Sequence, residues 1–306
     1  MAPLLSVILP TRNRPETLRK ALASIAGQDA DVEVIVVNDG GAPVADVVGE
    51  FGGRLDTRLV TLPAEAGPSA ARNHAIDLAA GRYLSFLDDD DIYLPGHLGA
   101  ALDALAGGDA DVVYATAGVS RRWIDPAAAV PPRLPYAFDF AFDDAFLSVL
   151  NYIPPTGLVV RADRDEPIRF DPDLRAGEDW DLWLRLARHR GYRFRHLDRL
   201  GAVYHRIPAH AASADPIGDG RRALGMFHAG YRRMCARWAV PEPSAEAGYR
   251  GLVLRVYDLA FERYDGGRTL GAFWYERMVR LLYDGFRAGT PAGDLSPGLA
   301  QVLEDR

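Results

Sequence analysis

An apolar run, Tyr83-Leu84-Ser85-Phe86-Leu87, leads straight into Asp88, Asp89, Asp90 and Asp91 with no turn residue between them. Such a run reads as a strand buried on both faces, and it delivers four carboxylates to one place. Four carboxylates at close quarters cannot all ionise without a compensating cation. A divalent metal with phosphate oxygens is the usual partner of a hard-oxygen cluster. Charge runs are more often solvated loops, but a solvated loop has no need of an apolar strand to aim it. The fold therefore has to set the end of a core strand at a binding rim.

Composition sets the outer bounds. The 306 residues are 48% hydrophobic, enough for one large core or two small ones. A net charge of -7 and a pI near 5.5 argue against a nucleic-acid-binding face. Cys235 is the sole cysteine, which excludes an internal disulfide and a cysteine-based zinc site. No basic residues precede the apolar stretch Leu4 to Leu9, no cleavage signal follows it, and nowhere do 18 apolar residues run together. The expectation is a cytoplasmic, soluble protein without a transmembrane segment.

The first hundred residues alternate strand and helix. Strands are expected at Leu5 to Leu9, Val32 to Val37, Arg58 to Leu62, Arg82 to Leu87 and Asp111 to Ala115. Between them, Pro15 to Ala26 places Leu18, Leu22 and Ile25 at helical spacing. Pro68 opens a helix after Gly67, and Pro95 to Leu105 reads as another. Continuous rather than alternating apolar runs point to a mostly parallel, Rossmann-like α/β sheet flanked by helices. In such sheets ligands sit beyond the carboxyl ends of the strands. Thr11-Arg12-Asn13, Asn38-Asp39-Gly40 and Asp88 to Asp91 all occupy such ends and should meet in one crevice.

Further along, 120 to 144 has no clear period and reads as a long loop. Leu158 to Val160 reads as a strand, Asp179 to Arg190 as a helix, and Tyr192 to Tyr204 as two short strands. From residue 215 the pattern is helical: Leu224 to Trp238, Ala245 to Tyr264 and Leu270 to Phe286. Two domains are expected: 1–214, holding the sheet and its ligand crevice, and a helical subdomain, 215–306, for a second ligand or oligomerisation. Its aromatics (Phe261, Tyr264, Phe273, Trp274, Tyr275) suit a core or a homodimer contact.

Five segments, in order, resemble the family 2 inverting glycosyltransferases, which have the GT-A fold. They are Ser6-Val7-Ile8-Leu9-Pro10-Thr11-Arg12-Asn13-Arg14, Val36-Val37-Asn38-Asp39-Gly40-Gly41, Gly67-Pro68-Ser69-Ala70-Ala71-Arg72-Asn73, Phe86-Leu87-Asp88-Asp89-Asp90-Asp91 with Pro95, and Gly177-Glu178-Asp179-Trp180-Asp181-Leu182-Trp183-Leu184-Arg185. The likeness covers roughly residues 4 to 210 and leaves the helical tail unassigned. Asn38 and Gly41 depart from the commoner Asp and Ser. The Gln-x-x-Arg-Trp segment of processive synthases is absent, since Cys235-Ala236-Arg237-Trp238 has no Gln, so a single transfer fits better.

Asp39 can accept a hydrogen bond from the N3–H of uracil or thymine, although Asn38-Asp39-Gly40-Gly41 also reads as a plain turn. Pro10, Thr11 and Asn13 would line the same base and ribose. Arg72, in the first turns of its helix, suits a diphosphate, and a solvated arginine is the competing reading. Asp88 and Asp90, one residue apart, would project to one side of extended backbone, with Asp89 turned away toward backbone and Asp91 capping the next turn. The resemblance implies that Asp88 contacts ribose or metal-bound water, that Asp90 ligates Mn²⁺ or Mg²⁺, and that a histidine after the strand ending at Tyr204 completes the site. His205 and His210 compete for that place. Asp179 is the candidate general base, with helix capping as its rival explanation.

The expected activity is transfer of one sugar from a UDP- or dTDP-sugar to a hydroxyl on a glycan, lipid-linked or natural-product acceptor. A phosphohydrolase of the haloacid-dehalogenase type also runs a strand into Asp-x-Asp, but on its first strand and with a downstream Lys or Arg. A sugar-1-phosphate nucleotidyltransferase needs a glycine-rich loop that Thr11-Arg12-Asn13-Arg14-Pro15 lacks. A non-catalytic sugar-nucleotide-binding subunit would not need Asp88, Asp90 and Asp179 together.

Overall fold

The computed structural model describes residues 3–126, 133–207 and 220–304. Strand β1 (Leu5–Thr11) pairs in parallel with β2 (Val32–Asn38) on one side and with β4 (Tyr83–Phe86) on the other; β3 (Asp56–Thr61) extends β2. Side chains alternate along a strand, so Leu5, Val7 and Leu9 join Val32, Val34 and Val36 in one cluster with Leu18, Leu22 and Ile25 of α1 (Pro15–Ala26). Ile8, Ile35 and Val37, also buried, lie on the other face with Ala71 and Ala75 of α3 (Pro68–Leu78), the short α2 (Ala45–Gly49) intervening in the chain. Each such side chain stabilises the fold by about 1.5–3 kcal/mol. That two-sided cover is why the sequence runs apolar without alternation.

The sheet is mixed rather than parallel throughout. Its order is β3-β2-β1-β4-β8-β6-β9-β5, with β7 (Tyr136–Phe138) hydrogen-bonded to β6 (Val112–Ser120). β8 (Leu158–Arg161) runs antiparallel to both β4 and β6, and β5 (Ile92–Tyr93) antiparallel to β9. Two short strands were expected within 192–204. A single twelve-residue β9 (Phe194–His205) is found, parallel to β6, whose register shifts on either side of Thr116 absorb the polar Asp198-Arg199 interruption. β5 and β7 escaped the pattern because strands of two and three residues carry no period. Helix α4 (His97–Ala106) covers β6.

The described chain groups into two compact units. The first, Met1–Phe142, Ile153–Asp173 and Asp181–His205, holds the whole sheet. The second is Asp143–Tyr152, Leu174–Trp180 and Arg206–Arg306. A boundary at 214/215 would have left its first two segments with the sheet. They cluster instead with the C-terminal helices for physical reasons. α5 (Asp144–Leu147) supplies Phe146, which packs at 5.2–5.5 Å on Tyr152, Tyr283 and Phe286. At the start of α6 (Glu178–Leu184), Trp180 stacks on Tyr231 of α7 (Arg221–Arg237) at 5.7 Å. α8 (Ala245–Asp265), capped by Ser244, sends in the buried Arg250, which donates to the Ser148, Cys235 and Trp238 carbonyls. In α9 (Trp274–Arg287), Trp274 is 1% exposed and belongs to this core. No helix among the described residues is long and apolar enough to cross a membrane.

Candidate active site

Pairing of β1 with β4 brings the acidic run to the centre of the sheet rim. The register Ile8↔Phe86 continues through the Leu87 N–H, which donates to the Ile8 carbonyl at 3.1 Å. Thr11 therefore lies against the carboxylates, and its hydroxyl donates to Asp89 Oδ2 at 2.7 Å. On the other flank Thr11 is in register with Asn38, and the Asp39 N–H donates to the Thr11 carbonyl at 2.9 Å. The three strand ends expected in one crevice do meet there.

Two arginines hold the cluster. Arg14 donates through Nη1 to Asp89 Oδ1 at 2.9 Å and to Asp90 Oδ2 at 2.7 Å. Arg72 donates through Nη2 to Asp88 Oδ1 at 2.6 Å, and its guanidinium lies 5.2 Å from the Phe170 ring. Arg72 is buried, which disposes of the solvated reading. Asp89 is committed to side chains, not to backbone as expected. Arg14 carried no assigned role in the sequence. Its signal was there in Arg14-Pro15: the residue before a helix-opening proline stays at the strand end that β1 delivers.

Two cations do not balance this cluster. Burial, with Asp89 and Asp88 adding repulsion against the pull of Arg14, pushes the Asp90 carboxyl up to about 7. Burial likewise raises Asp89. Asp91 is buried and raised well above the carboxylate range by desolvation, then by Asp90 and Asp88. It caps no turn: it accepts from the Thr156 hydroxyl and, at 2.8 Å, from the His205 N–H. Thr156 reaches it because residue 156 forms an isolated bridge with Phe86.

His205 is buried, and desolvation lowers its imidazole to about 4. The Ile124 N–H donates to Nε2 at 3.2 Å, so Nδ1 carries the proton and donates to the Asp90 carbonyl at 2.9 Å. Both ring nitrogens are thus taken by main chain, and His205 ties β9 to the acidic turn. His210 lies outside the described residues.

At the end of β2, Asp39 accepts from the Ala66 N–H at 2.7 Å and the Gly67 N–H at 2.9 Å, fixing the loop that opens α3. Asn38 holds the turn through Gly41 and Ala42. Asn13, left-handed at φ 57°, accepts from the Ala42 N–H at 2.8 Å, and Pro10 is half-buried in β1 opposite Val37. Gly40 has φ +66°, and a Cβ there would stand 2.4 Å from the Ala64 carbonyl carbon. Gly40→Ala is expected to cost about 1–3 kcal/mol through that overlap, by displacing the loop Asp39 anchors. A denaturation midpoint unchanged from the parent would refute this.

Asp179 belongs to the second unit. It is the second residue of α6, not its cap; Oδ1 accepts from the Trp180 N–H at 2.7 Å and Oδ2 from Asn151 Nδ2 at 2.8 Å. The Trp180 indole N–H donates to the Leu147 carbonyl at 2.6 Å.

Sequence comparison decides the family. Residues 6–201 match Glycosyl transferase family 2. The chain belongs to this family. The family 2 chain is 31% identical over 215 residues to the succinoglycan biosynthesis protein ExoU of Rhizobium meliloti, a match covering 64% of this chain and 61% of that one. The chain thus spans about three fifths of that relative's length. It is 37% identical over 114 residues, 36% of this chain and 37% of that one, to the GalNAc(5)-diNAcBac-PP-undecaprenol beta-1,3-glucosyltransferase of Campylobacter jejuni. Its fold is that of S. aureus TarS 1-349 in complex with UDP-GlcNAc (TM-score 0.57, 18% identity, covering 98% of this chain and 82% of that one). It also matches the mannosyltransferase PcManGT from Pyrobaculum calidifontis in complex with GDP-Man and Mn²⁺ (TM-score 0.57, 20% identity, 99% and 86%). The family 2 match and this GT-A fold do not favour the phosphohydrolase or nucleotidyltransferase readings.

Proposed function

We propose that this chain is an inverting, cation-dependent glycosyltransferase moving one sugar from a UDP- or dTDP-sugar to the hydroxyl of a glycan, lipid-linked or natural-product acceptor. The acceptor oxygen attacks the anomeric carbon on the face opposite the diphosphate. The bond from that carbon to the phosphate oxygen breaks, and its electron pair leaves on the nucleoside diphosphate. The hydroxyl proton passes to Asp179.

One observation carries the donor side: the ends of β1, β2 and β4 converge on a carboxylate cluster too acidic for its two arginines. Asp88 and Asp90 fit a hard divalent cation, because binding one offsets the burial and the repulsion that lift Asp90 to about 7. No group of three or more ligating side chains occurs among the described residues. Mg²⁺ and Mn²⁺ take one or two carboxylates and complete their shell with phosphate oxygens and water. When bound, such an ion neutralises charge on the leaving diphosphate. His205 is left out of the set, since a ligand needs a free nitrogen lone pair.

Asp39 uses one lone pair for each of two backbone donors and retains acceptor capacity for the N3–H of a pyrimidine ring. The UDP-GlcNAc complex of TarS supports a UDP-sugar, and the undecaprenol-linked substrate named for the Campylobacter relative supports a lipid-linked acceptor. The GDP-Man complex of the archaeal neighbour means guanine donors belong in any test.

The test is a thermal-shift panel of UDP-, dTDP- and GDP-sugars, each with Mn²⁺ or with chelator. Saturation a hundredfold above Kd adds about 2.7 kcal/mol. For a chain of this size that raises Tm by several degrees. A UDP- or dTDP-sugar should give the largest shift, and only with Mn²⁺. No shift with any nucleotide sugar would remove the donor assignment.

A further inference from the structure

Three main-chain carbonyls within 148–151 are gripped by the C-terminal helices. Arg250 of α8 donates to the Ser148 carbonyl at 2.6 and 2.9 Å. The Tyr231 hydroxyl of α7 donates to the Val149 carbonyl at 2.9 Å. The Tyr275 hydroxyl of α9 donates to the Asn151 carbonyl at 3.1 Å. Beside Tyr275, Glu276 is locked by Arg206 in a buried ion pair of 2.6 Å, which fixes the first turn of α9. The segment therefore has its main chain held by three helices, and its last residue turns a side-chain amide onto Asp179.

We propose that Asn151 is a positioning residue for Asp179, and that the C-terminal helices act on the reaction through it. The inference rests on Asp179 being the base. Its carboxylate is pinned at both oxygens, Oδ1 by the Trp180 N–H and Oδ2 by Asn151, so it cannot rotate about its last bond. The amide of Asn151 orients the carboxylate and, as a donor, favours its ionised form. An aromatic hydroxyl on α9 then explains how a helix with no part in the sheet bears on the chemistry.

The experiment uses the nucleotide sugar ranked first by the thermal-shift panel, with water as acceptor, and follows nucleoside diphosphate release against pH. Asn151→Ala is expected to lower kcat about 10²-fold, the scale of a misplaced catalytic group, with KM for the donor within about twofold of the parent. Losing a donor to the ionised carboxylate raises its pKa, and a base works only when deprotonated. The acid limb of the rate profile should therefore move to higher pH. Asn151→Asp, isosteric but able only to accept, should move it further. Tyr275→Phe leaves the amide in place and should lower kcat about two- to tenfold, the worth of one hydrogen bond. An unchanged rate and profile in Asn151→Ala and Asn151→Asp, with Asp179→Asn inactive, overturns the positioning role alone. A fully active Asp179→Asn overturns the base assignment and this inference with it.

Discussion

Asp179→Asn should abolish sugar transfer, by about 10²–10⁴-fold, while leaving nucleotide binding at the parent level. The substitution keeps the shape of the side chain and the oxygen that accepts from the Trp180 N–H at 2.7 Å. It removes the capacity to take a proton and replaces the oxygen that accepts from Asn151 with an amide nitrogen. The donor-side carboxylates are untouched, so calorimetry of UDP with Mn²⁺ should return the parent affinity. Helix capping, the competing explanation of a carboxylate here, predicts a normal rate and nearly unchanged stability, because asparagine caps about as well as aspartate. The capping reading is already strained, because Asp179 sits inside α6 and its second oxygen is engaged by Asn151 rather than by the helix. A transfer rate within severalfold of the parent would take Asp179 out of the mechanism.

What the sequence disclosed follows from which forces are local. Apolar runs and proline positions are local, and Pro15–Ala26 and the starts of β1, β2 and β8 could be placed from them. The convergence of three strand ends followed from parallel pairing alone. Partners distant in sequence left no such trace. Arg14 reaches Asp90 across 76 positions, Thr156 reaches Asp91 across 65, and Asn151 reaches Asp179 across 28. His205 was legible as a polar residue at a strand end, but its role depended on Ile124 and Asp90, whose backbone groups fill both ring nitrogens. The second unit was half legible: its helices followed from period, while Asp143–Tyr152 and Leu174–Trp180 belong to it through distant partners such as Arg250, Tyr231, Tyr275 and the Phe146 cluster.

Asp90→Asn should have opposite effects on stability and on binding. A carboxyl raised from 3.8 to about 7 is one whose charged form the folded state disfavours. The folded protein then holds a proton that the unfolded chain releases, so this group's contribution to stability falls as pH rises from about 4 through 7. At pH 8 the penalty is fully present, and the neutral amide relieves it. Tm should rise, by about 2–4 °C for each kcal/mol of burial penalty and repulsion removed. Arg14 keeps a partner in Asp89 at 2.9 Å, so the substitution strands no buried charge. The same change deletes a ligand for the cation, and Mn²⁺-dependent nucleotide affinity should drop at least about tenfold. In the parent, proton and cation compete for one carboxylate, so that affinity should climb as pH rises through about 7 and go flat in Asp90→Asn. A lower Tm with undiminished Mn²⁺ dependence would mean that Asp90 is structural and that the cation, if used, is held elsewhere. A higher Tm with lost affinity identifies stability given up at the sheet rim so that a diphosphate-bound cation is needed to restore it.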